Sequence, residues 1–218
     1  MEDDGPKAFE GFASRLGKRY ERYIGEQLRL LTHATLHPEV SYGRSQKSVD
    51  YIIETPEVVV LVEAKSVAPN AFTRSGIFPD NGDMDRGINR ACQQITHTAE
   101  LMRGGHPEFP DLKARPLRGL VVTRERYLNL PWHHLTDAVK PASIPTTIVS
   151  ADQLEYALVP GLIDEEACGA QLLEGLATDS GPIETSLERL RIGMNPLLEE
   201  IATASSLRQP DHDNASAS

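Results

Sequence analysis

The sequence has 218 residues, of which 39% are hydrophobic and 25% charged, and its formal net charge is −10. This length fits one domain of moderate size, or one domain with an appendage, and allows a single hydrophobic core. No apolar run reaches the roughly 18 residues of a transmembrane helix, and the acidic start MEDDGPKAFE does not have the apolar segment of a signal peptide. We therefore expect a cytoplasmic protein with no membrane partner, in which Cys92 and Cys168 remain thiols.

The negative charge is concentrated in the last third of the chain. Residues 1–140 hold 19 of the 22 Lys and Arg and 19 of the 32 Asp and Glu, so this part is electrically balanced. Residues 141–218 hold the other 3 basic and 13 acidic residues. An acidic chain argues against strong nonspecific binding to nucleic acid, but the balanced first part leaves room for a local basic patch.

The first half of the chain is predicted to form one helix and then strands. Apolar residues recur every three or four positions over 7–31, which indicates an amphipathic helix. On a helical wheel Glu21 falls at the edge of the apolar face, whereas Glu26 points to solvent. A short strand over 38–42 and a turn precede a β-hairpin over 48–66, whose own turn contains Thr55-Pro56.

The chain between 66 and 87 is rich in Pro, Gly, Asn and Asp, and a long loop of this kind is usually a functional lid or a mobile segment. A helix over 85–103 follows, with Gln94 beside its apolar face and Gln93 facing outward. Gly104-Gly105 ends this helix. The remaining predicted elements are strands over 117–123 and 146–150, a short helix near 136–140, a helix through 158 capped by Ser150 or Asp152, helices over 162–177 and 183–203, and a polar tail.

The hairpin carries an unusual set of charges. The β-branched run Val58–Val62 leads directly into Glu63-Ala64-Lys65, and Asp50 stands near the start of the partner strand. Because side chains alternate along a strand, Glu63 and Lys65 point to one face, about 6.6 Å apart, and Ala64 points to the other. Charges at the end of a buried strand are costly unless they are paired or bound to a metal ion. These residues therefore define a candidate site.

The same residues also have simpler explanations. Glu63 and Lys65 form a solvated pair if the strand end is exposed, and Asp50 alone fits an ordinary turn. Glu21 fits a boundary residue that pairs with a neighbouring base at helical spacing, and Gln94 fits a boundary residue of its helix. Their occurrence together, in two helices and one hairpin, favours a site.

The collected motifs resemble the PD-(D/E)xK nuclease superfamily. Asp50 and Glu63-Ala64-Lys65 match the motif that names the family, although Val49 stands where the name has proline. Upstream, Gly17-Lys18-Arg19-Tyr20-Glu21 is similar to the glutamate motif of the family's first helix. Downstream, Ala91-Cys92-Gln93-Gln94-Ile95 is similar to its fourth motif.

The resemblance implies an α/β fold with a restriction-endonuclease-like αβββαβ core, in which a central mixed sheet is flanked by helices. It also implies hydrolysis of phosphodiester bonds with Mg²⁺ or Mn²⁺, for which carboxylate oxygens are suitable ligands. DNA is favoured over RNA as the substrate, in bacterial defence, repair or mobile-element contexts. In this interpretation Lys65 activates water, Gln94 positions Lys65, water or phosphate, and the metal ligands are Asp50, Glu63, the Ala64 carbonyl and Glu21.

The predicted organisation is a nuclease-like domain over 7–158, a helical C-terminal extension over 159–204 and a disordered tail over 205–218. The resemblance itself covers roughly residues 10–150. The alternative function is a catalytically inactive module of the same fold that binds nucleic acid or a protein partner. A further alternative gives the acidic C-terminal helices the main role, as a docking surface for a protein partner or as a homodimer interface.

Overall fold

The computed structural model describes residues 5–66, 83–112, 114–126 and 142–158. The helices in these ranges are α1 (Gly5–Leu28), α2 (Asp83–Arg103) and α3 (Ala151–Ala157). The strands are β1 (Thr35–Pro38), β2 (Ser41–Tyr42), β3 (Gln46–Lys47), β4 (Tyr51–Glu54), β5 (Val59–Lys65), β6 (Leu117–Thr123) and β7 (Thr146–Ser150). The predicted helix near 136–140, the C-terminal helices, the tail and most of the loop between 66 and 87 lie outside the described residues.

Five of these strands form a mixed sheet in the order β1-β4-β5-β6-β7. The pairs β1–β4 and β4–β5 are antiparallel, whereas β5–β6 and β6–β7 are parallel. A parallel pair needs a crossover connection, and α2 lies in the connection between β5 and β6. The predicted α/β class, the mixed central sheet and the αβββαβ order are confirmed. Strands β2 and β3 form a separate antiparallel pair.

The central strand β5 is buried on both faces, and its alternating side chains enter two different cores. Val60 and Val62 pack with residues of α1 and α3 on one face of the sheet. Val59 and Leu61 pack with residues of α2 on the other face. Burial on both sides explains why β5 reads as a continuous apolar run. It also fixes the directions of the next residues, because the period of two sends Glu63 to the α2 face and Ala64 to the α1 face.

Two sequence predictions needed correction. The helix predicted over 7–31 ends at Leu28. There the hydrogen bonding changes to the i→i+3 pattern, and the Leu31 N–H donates to the Leu28 carbonyl at 3.1 Å. The short strand predicted over 38–42 is two strands, because β1 ends at Pro38 and β2 begins at Ser41. Proline has no N–H to continue a ladder, so the edge strand ends there.

Tight packing between α1 and β4 gives a stability prediction. The hydroxyl of Tyr51 donates to the Glu21 carbonyl at 3.1 Å, and a Cβ added at Gly25 would lie 2.6 Å from the Tyr51 ring carbon Cζ. We expect Gly25→Ala to lower the free energy of unfolding by about 1–3 kcal/mol, because the buried ring must move. Gly17→Ala is the matched control, since its Cβ meets only the Ser66 hydroxyl at 3.6 Å. Urea unfolding that ranks the two variants in the opposite order would contradict this packing.

Candidate active site

Asp50 lies directly before β4 and is 8% exposed. Residue 52 of β4 packs on the α2 face of the sheet, so the period of two directs Asp50 to that face as well. The register Tyr51↔Val62 brings Asp50 beside the end of β5. There the Asp50 Oδ2 accepts a hydrogen bond from the Ala64 N–H at 2.8 Å. The hairpin thus holds Asp50 against the segment that carries Glu63 and Lys65.

Glu63 is the most deeply buried charged residue of this group, with 1% of its surface exposed. Its Oε1 accepts a hydrogen bond from the Lys65 ammonium, which confirms the predicted shared face. Its Oε2 is also buried and has no hydrogen-bond partner among the described residues. A buried carboxylate oxygen without a partner is costly, so the site is incomplete as it stands.

Burial and nearby negative charges raise the pKa of both the Asp50 and the Glu63 carboxyl group. Burial raises the pKa of Asp50 to about 6, opposed by the Ala64 N–H, and the charges of Glu21 and Glu39 add to the rise. Burial and the neighbouring Asp50 raise the pKa of Glu63 to about 8, although Lys65 acts in the opposite direction. The ammonium group of Lys65 therefore does not compensate the negative charge of the buried Asp50 and Glu63 carboxylates. The site favours additional positive charge.

Gln94 lies at the boundary of the α2 core, and Gln93 is exposed, as the helical wheel predicted. The Gln94 Nε2 donates to the Ser48 carbonyl at 3.2 Å. One turn further along α2, the Thr98 hydroxyl oxygen accepts from the Val49 N–H at 3.1 Å. These two contacts fix the backbone immediately before Asp50. In this structure Gln94 orients the segment that carries Asp50, and a direct role toward Lys65, water or phosphate stays a prediction.

Glu21 lies on α1, which covers the opposite face of the sheet from Asp50 and Glu63. Its charge contributes to the raised pKa of Asp50, so it acts on the site electrostatically. Among the described residues, however, no group of three or more His, Cys, Asp or Glu side chains is arranged to hold a metal ion. Glu21 therefore does not complete a three-carboxylate cluster here, and its role as a metal ligand stays a prediction. Glu26 is exposed, as predicted.

The sequence analysis missed two charged residues near Asp50. Glu39 contributes to the raised pKa of Asp50, and Lys47 bonds to Glu39 at 2.6 Å. Both lie in or beside the small β2–β3 sheet, which was predicted only as a strand and a turn. The signal available in the sequence was the pairing of Glu39 and Lys47 across a short hairpin that leads into Asp50.

The donor set suits a hard divalent cation. Asp50 and Glu63 supply carboxylate oxygens, and the unpartnered Oε2 of Glu63 gains a partner if a cation binds. Such oxygen donors match the preferences of Mg²⁺ and Mn²⁺. The backbone of Ala64 lies beside Asp50, because the Ala64 N–H donates to the Asp50 Oδ2 at 2.8 Å.

Comparisons with known proteins give one similarity in structure. No family model matches the chain, and no curated protein matches it in sequence. The fold is similar to the crystal structure of the small subunit, R.BspD6I2, of the heterodimeric restriction endonuclease R.BspD6I. That similarity has a TM-score of 0.46 and 11% sequence identity, and it covers 90% of this chain and 96% of that chain. None of the helices in the described part of the chain is long and apolar enough to cross a membrane.

Proposed function

We propose that this protein is a metal-dependent nuclease that hydrolyses phosphodiester bonds, with DNA as the first substrate to test. The observation that carries the proposal is the Glu63 carboxylate, buried with one oxygen unpartnered beside Asp50 and Lys65. A buried carboxylate pair with too little positive charge is expensive to maintain in a fold. A catalytic cation explains that expense, and the sequence resemblance to PD-(D/E)xK nucleases supports the same chemistry.

In this proposal Asp50, Glu63 and the Ala64 carbonyl hold Mg²⁺ or Mn²⁺, with Glu21 adding negative charge nearby. When bound, the ion neutralises phosphate charge and lowers the pKa of a coordinated water. The chain's own groups supply orientation and proton handling. Lys65, already directed toward the site by its bond to Glu63, orients the attacking water and stabilises the charge that develops on the phosphate. Gln94 keeps the backbone before Asp50 in place.

The direct test of this function is hydrolysis of labelled oligonucleotides. Single-stranded DNA, duplex DNA and RNA are each incubated with Mg²⁺, with Mn²⁺ and with a chelator. The proposal expects products with either ion and none with the chelator. Cleavage that is unchanged by the chelator would contradict a metal-dependent mechanism.

Metal binding also gives a prediction that does not depend on activity. Mn²⁺ at 100 times its dissociation constant should stabilise the protein by about 2.7 kcal/mol, because it binds only the folded state. The rise in melting temperature should be larger at pH 8 than at pH 5.5, since protons compete for carboxyl groups whose pKa values are raised to about 6 and about 8. Scanning calorimetry measures the melting temperature with and without Mn²⁺ at each pH.

The matched controls for this measurement lie on the same hairpin. Asp50→Asn should lose the metal-dependent rise, whereas Glu57→Gln should keep it, since Glu57 is exposed in the turn. A rise of equal size in both variants would place the bound cation elsewhere.

A non-catalytic module of the same fold is the second candidate. It is favoured by the finding that the described residues contain no group of three or more potential metal ligands. Such a module would bind nucleic acid or a protein partner and would show neither hydrolysis nor metal-dependent stabilisation. The two experiments above therefore separate the candidates.

The domain organisation belongs to the same proposal. We propose that residues 7–158 form the nuclease-like domain and that residues 159–204 form a helical extension for a protein partner or a second copy of the chain, followed by the tail over 205–218. Removing residues 159–218 and measuring the mass in solution tests the extension. An unchanged oligomeric state together with unchanged partner binding would remove this role.

A further inference from the structure

The β2–β3 hairpin leads directly into the candidate site. Ser41 pairs with Lys47 and Tyr42 with Gln46, and Gly43 takes the positive φ of 60° that the turn requires. Lys47 is three residues before Asp50, a span of at most about 10 Å along the chain. The hairpin therefore places an exposed lysine within about 10 Å of Asp50 along the chain.

The base of this hairpin is held firmly. The Ser48 N–H donates to the Val40 carbonyl at 2.9 Å, and the Val40 N–H donates to the Ser48 hydroxyl oxygen at 2.8 Å. The contacts from Gln94 and Thr98 to residues 48 and 49 tie the same segment to α2. Ser48 and Val49 are fully buried. The backbone position of Lys47 relative to Asp50 is thus fixed by the fold.

The Lys47 side chain is itself easy to displace. Its ammonium bonds to Glu39 at 2.6 Å, but the Lys47 side chain is 60% exposed and that of Glu39 is 24% exposed. The hydrogen bond to Glu39 raises the pKa of Lys47, and the charges of Glu21 and Asp50 raise it further, so Lys47 lies within electrostatic reach of both. Exposed ion pairs contribute little to stability, so a competing anion can replace Glu39 at small cost.

We propose that Lys47 is a substrate-binding residue that contacts a backbone phosphate next to the scissile one, and that Glu39 holds its ammonium in place until substrate binds. The inference rests on the proposed nuclease function. Four carboxylates, Glu21, Glu39, Asp50 and Glu63, interact with one another or with the two ammonium groups of Lys47 and Lys65. These carboxylates repel a polyanionic nucleic-acid strand. If the Lys47 ammonium leaves Glu39 and binds a phosphate instead, it offsets this repulsion and allows the strand to bind.

Steady-state kinetics and binding test this role with matched variants. Lys47→Gln should raise KM about tenfold with kcat changed less than about twofold, and Lys47→Arg should restore most of the KM. Glu39→Gln should lower KM a few fold, because Lys47 is then available without competition. Arg29→Gln is the control, since Arg29 lies just after α1 and forms an exposed pair with Glu26. A KM for Lys47→Gln equal to that of Arg29→Gln would overturn the inference.

Oligonucleotide binding without metal gives a second readout that does not need catalysis. Fluorescence anisotropy across a salt series should show a slope of log K against log salt that is shallower by about one for Lys47→Gln than for the wild type. An unchanged slope would overturn the role of Lys47 even if the protein is a nuclease. A wild type that binds but never cleaves would refute the nuclease proposal. In that case the difference in slope between Lys47→Gln and the wild type would still decide whether Lys47 contacts phosphate. A wild type that does neither would overturn both.

Discussion

Asp50→Asn should reduce the rate constant of Mg²⁺-dependent DNA hydrolysis about a thousandfold, and Lys65→Ala should reduce it by at least about a hundredfold. Lys65→Ala removes a group that stabilises transition-state charge, and such a loss typically costs about a hundredfold to a thousandfold. Asp50→Asn removes a carboxylate that holds the catalytic cation. The asparagine is chosen because its amide oxygen can still accept the hydrogen bond that the Ala64 N–H now gives to Asp50 at 2.8 Å. The variant therefore removes the negative charge while it keeps the local backbone.

Single-turnover kinetics at saturating enzyme measure these rate constants, and circular dichroism confirms that each variant is folded. Glu57→Gln should retain the wild-type rate, because this exposed residue lies in the turn at the far end of the same hairpin. If Asp50→Asn and Lys65→Ala hydrolysed DNA as fast as the wild type, the catalytic assignment would be wrong, although the fold would not be affected.

The same Asp50→Asn substitution should stabilise the metal-free protein at pH 8 by about 2–3 kcal/mol. Burial raises the pKa of Asp50 from its ordinary value of 3.8 to about 6. A carboxyl group whose pKa is raised in the folded state favours folding below its unfolded pKa, and this contribution is lost as the pH rises through the folded value. Each tenfold change in proton affinity corresponds to about 1.4 kcal/mol. The gain should therefore be absent near pH 4 and complete above about pH 7.

Denaturant unfolding in the presence of a chelator measures this gain across the pH range. Glu57→Gln, a change of an exposed glutamate in the turn of the hairpin, should shift stability by less than about 0.5 kcal/mol at every pH. A destabilised Asp50→Asn variant at pH 8 would indicate that the carboxylate is well compensated without metal. Such a result would remove the main physical argument for a cation.

These two predictions point in opposite directions for one residue, which is the expected pattern at a functional site. A substitution that removes activity while it raises stability shows that the native charge is kept for chemistry rather than for folding. A residue of purely structural importance would lose stability when it is changed. The pair of measurements therefore distinguishes the nuclease proposal from a scaffold role more sharply than activity alone.

Most strands of the central sheet were predictable because burial leaves a strong pattern in the sequence. Strands β5, β6 and β7 are short runs rich in β-branched residues, over Val59–Lys65, Leu117–Thr123 and Thr146–Ser150. The alternation along β5 also predicted that Glu63 and Lys65 share one face of the strand, and the structure adds a hydrogen bond between them. The helical wheels placed Gln94 at the core boundary for the same reason, because helix periodicity defines which side chains face inward.

Other features depend on contacts between distant parts of the chain and had no local signal. Strand β1 is only four residues long and is defined by its pairing with β4. The partner of Gln94 is a backbone carbonyl 46 residues away, which helical spacing cannot reveal. The placement of Glu21 on the opposite face likewise required the layer order of the helices.

The most direct test of the central claim, that Asp50 and Glu63 together bind a divalent cation, is a crystal structure of the protein grown with Mn²⁺. Anomalous scattering locates this ion independently of any expectation. The account predicts a peak within coordination distance of a carboxylate oxygen of Asp50, the Glu63 Oε2 and the Ala64 carbonyl. A crystal saturated with Mn²⁺ that shows no peak between Asp50 and Glu63, with Oε2 bonded to a protein group or a water instead, would contradict it.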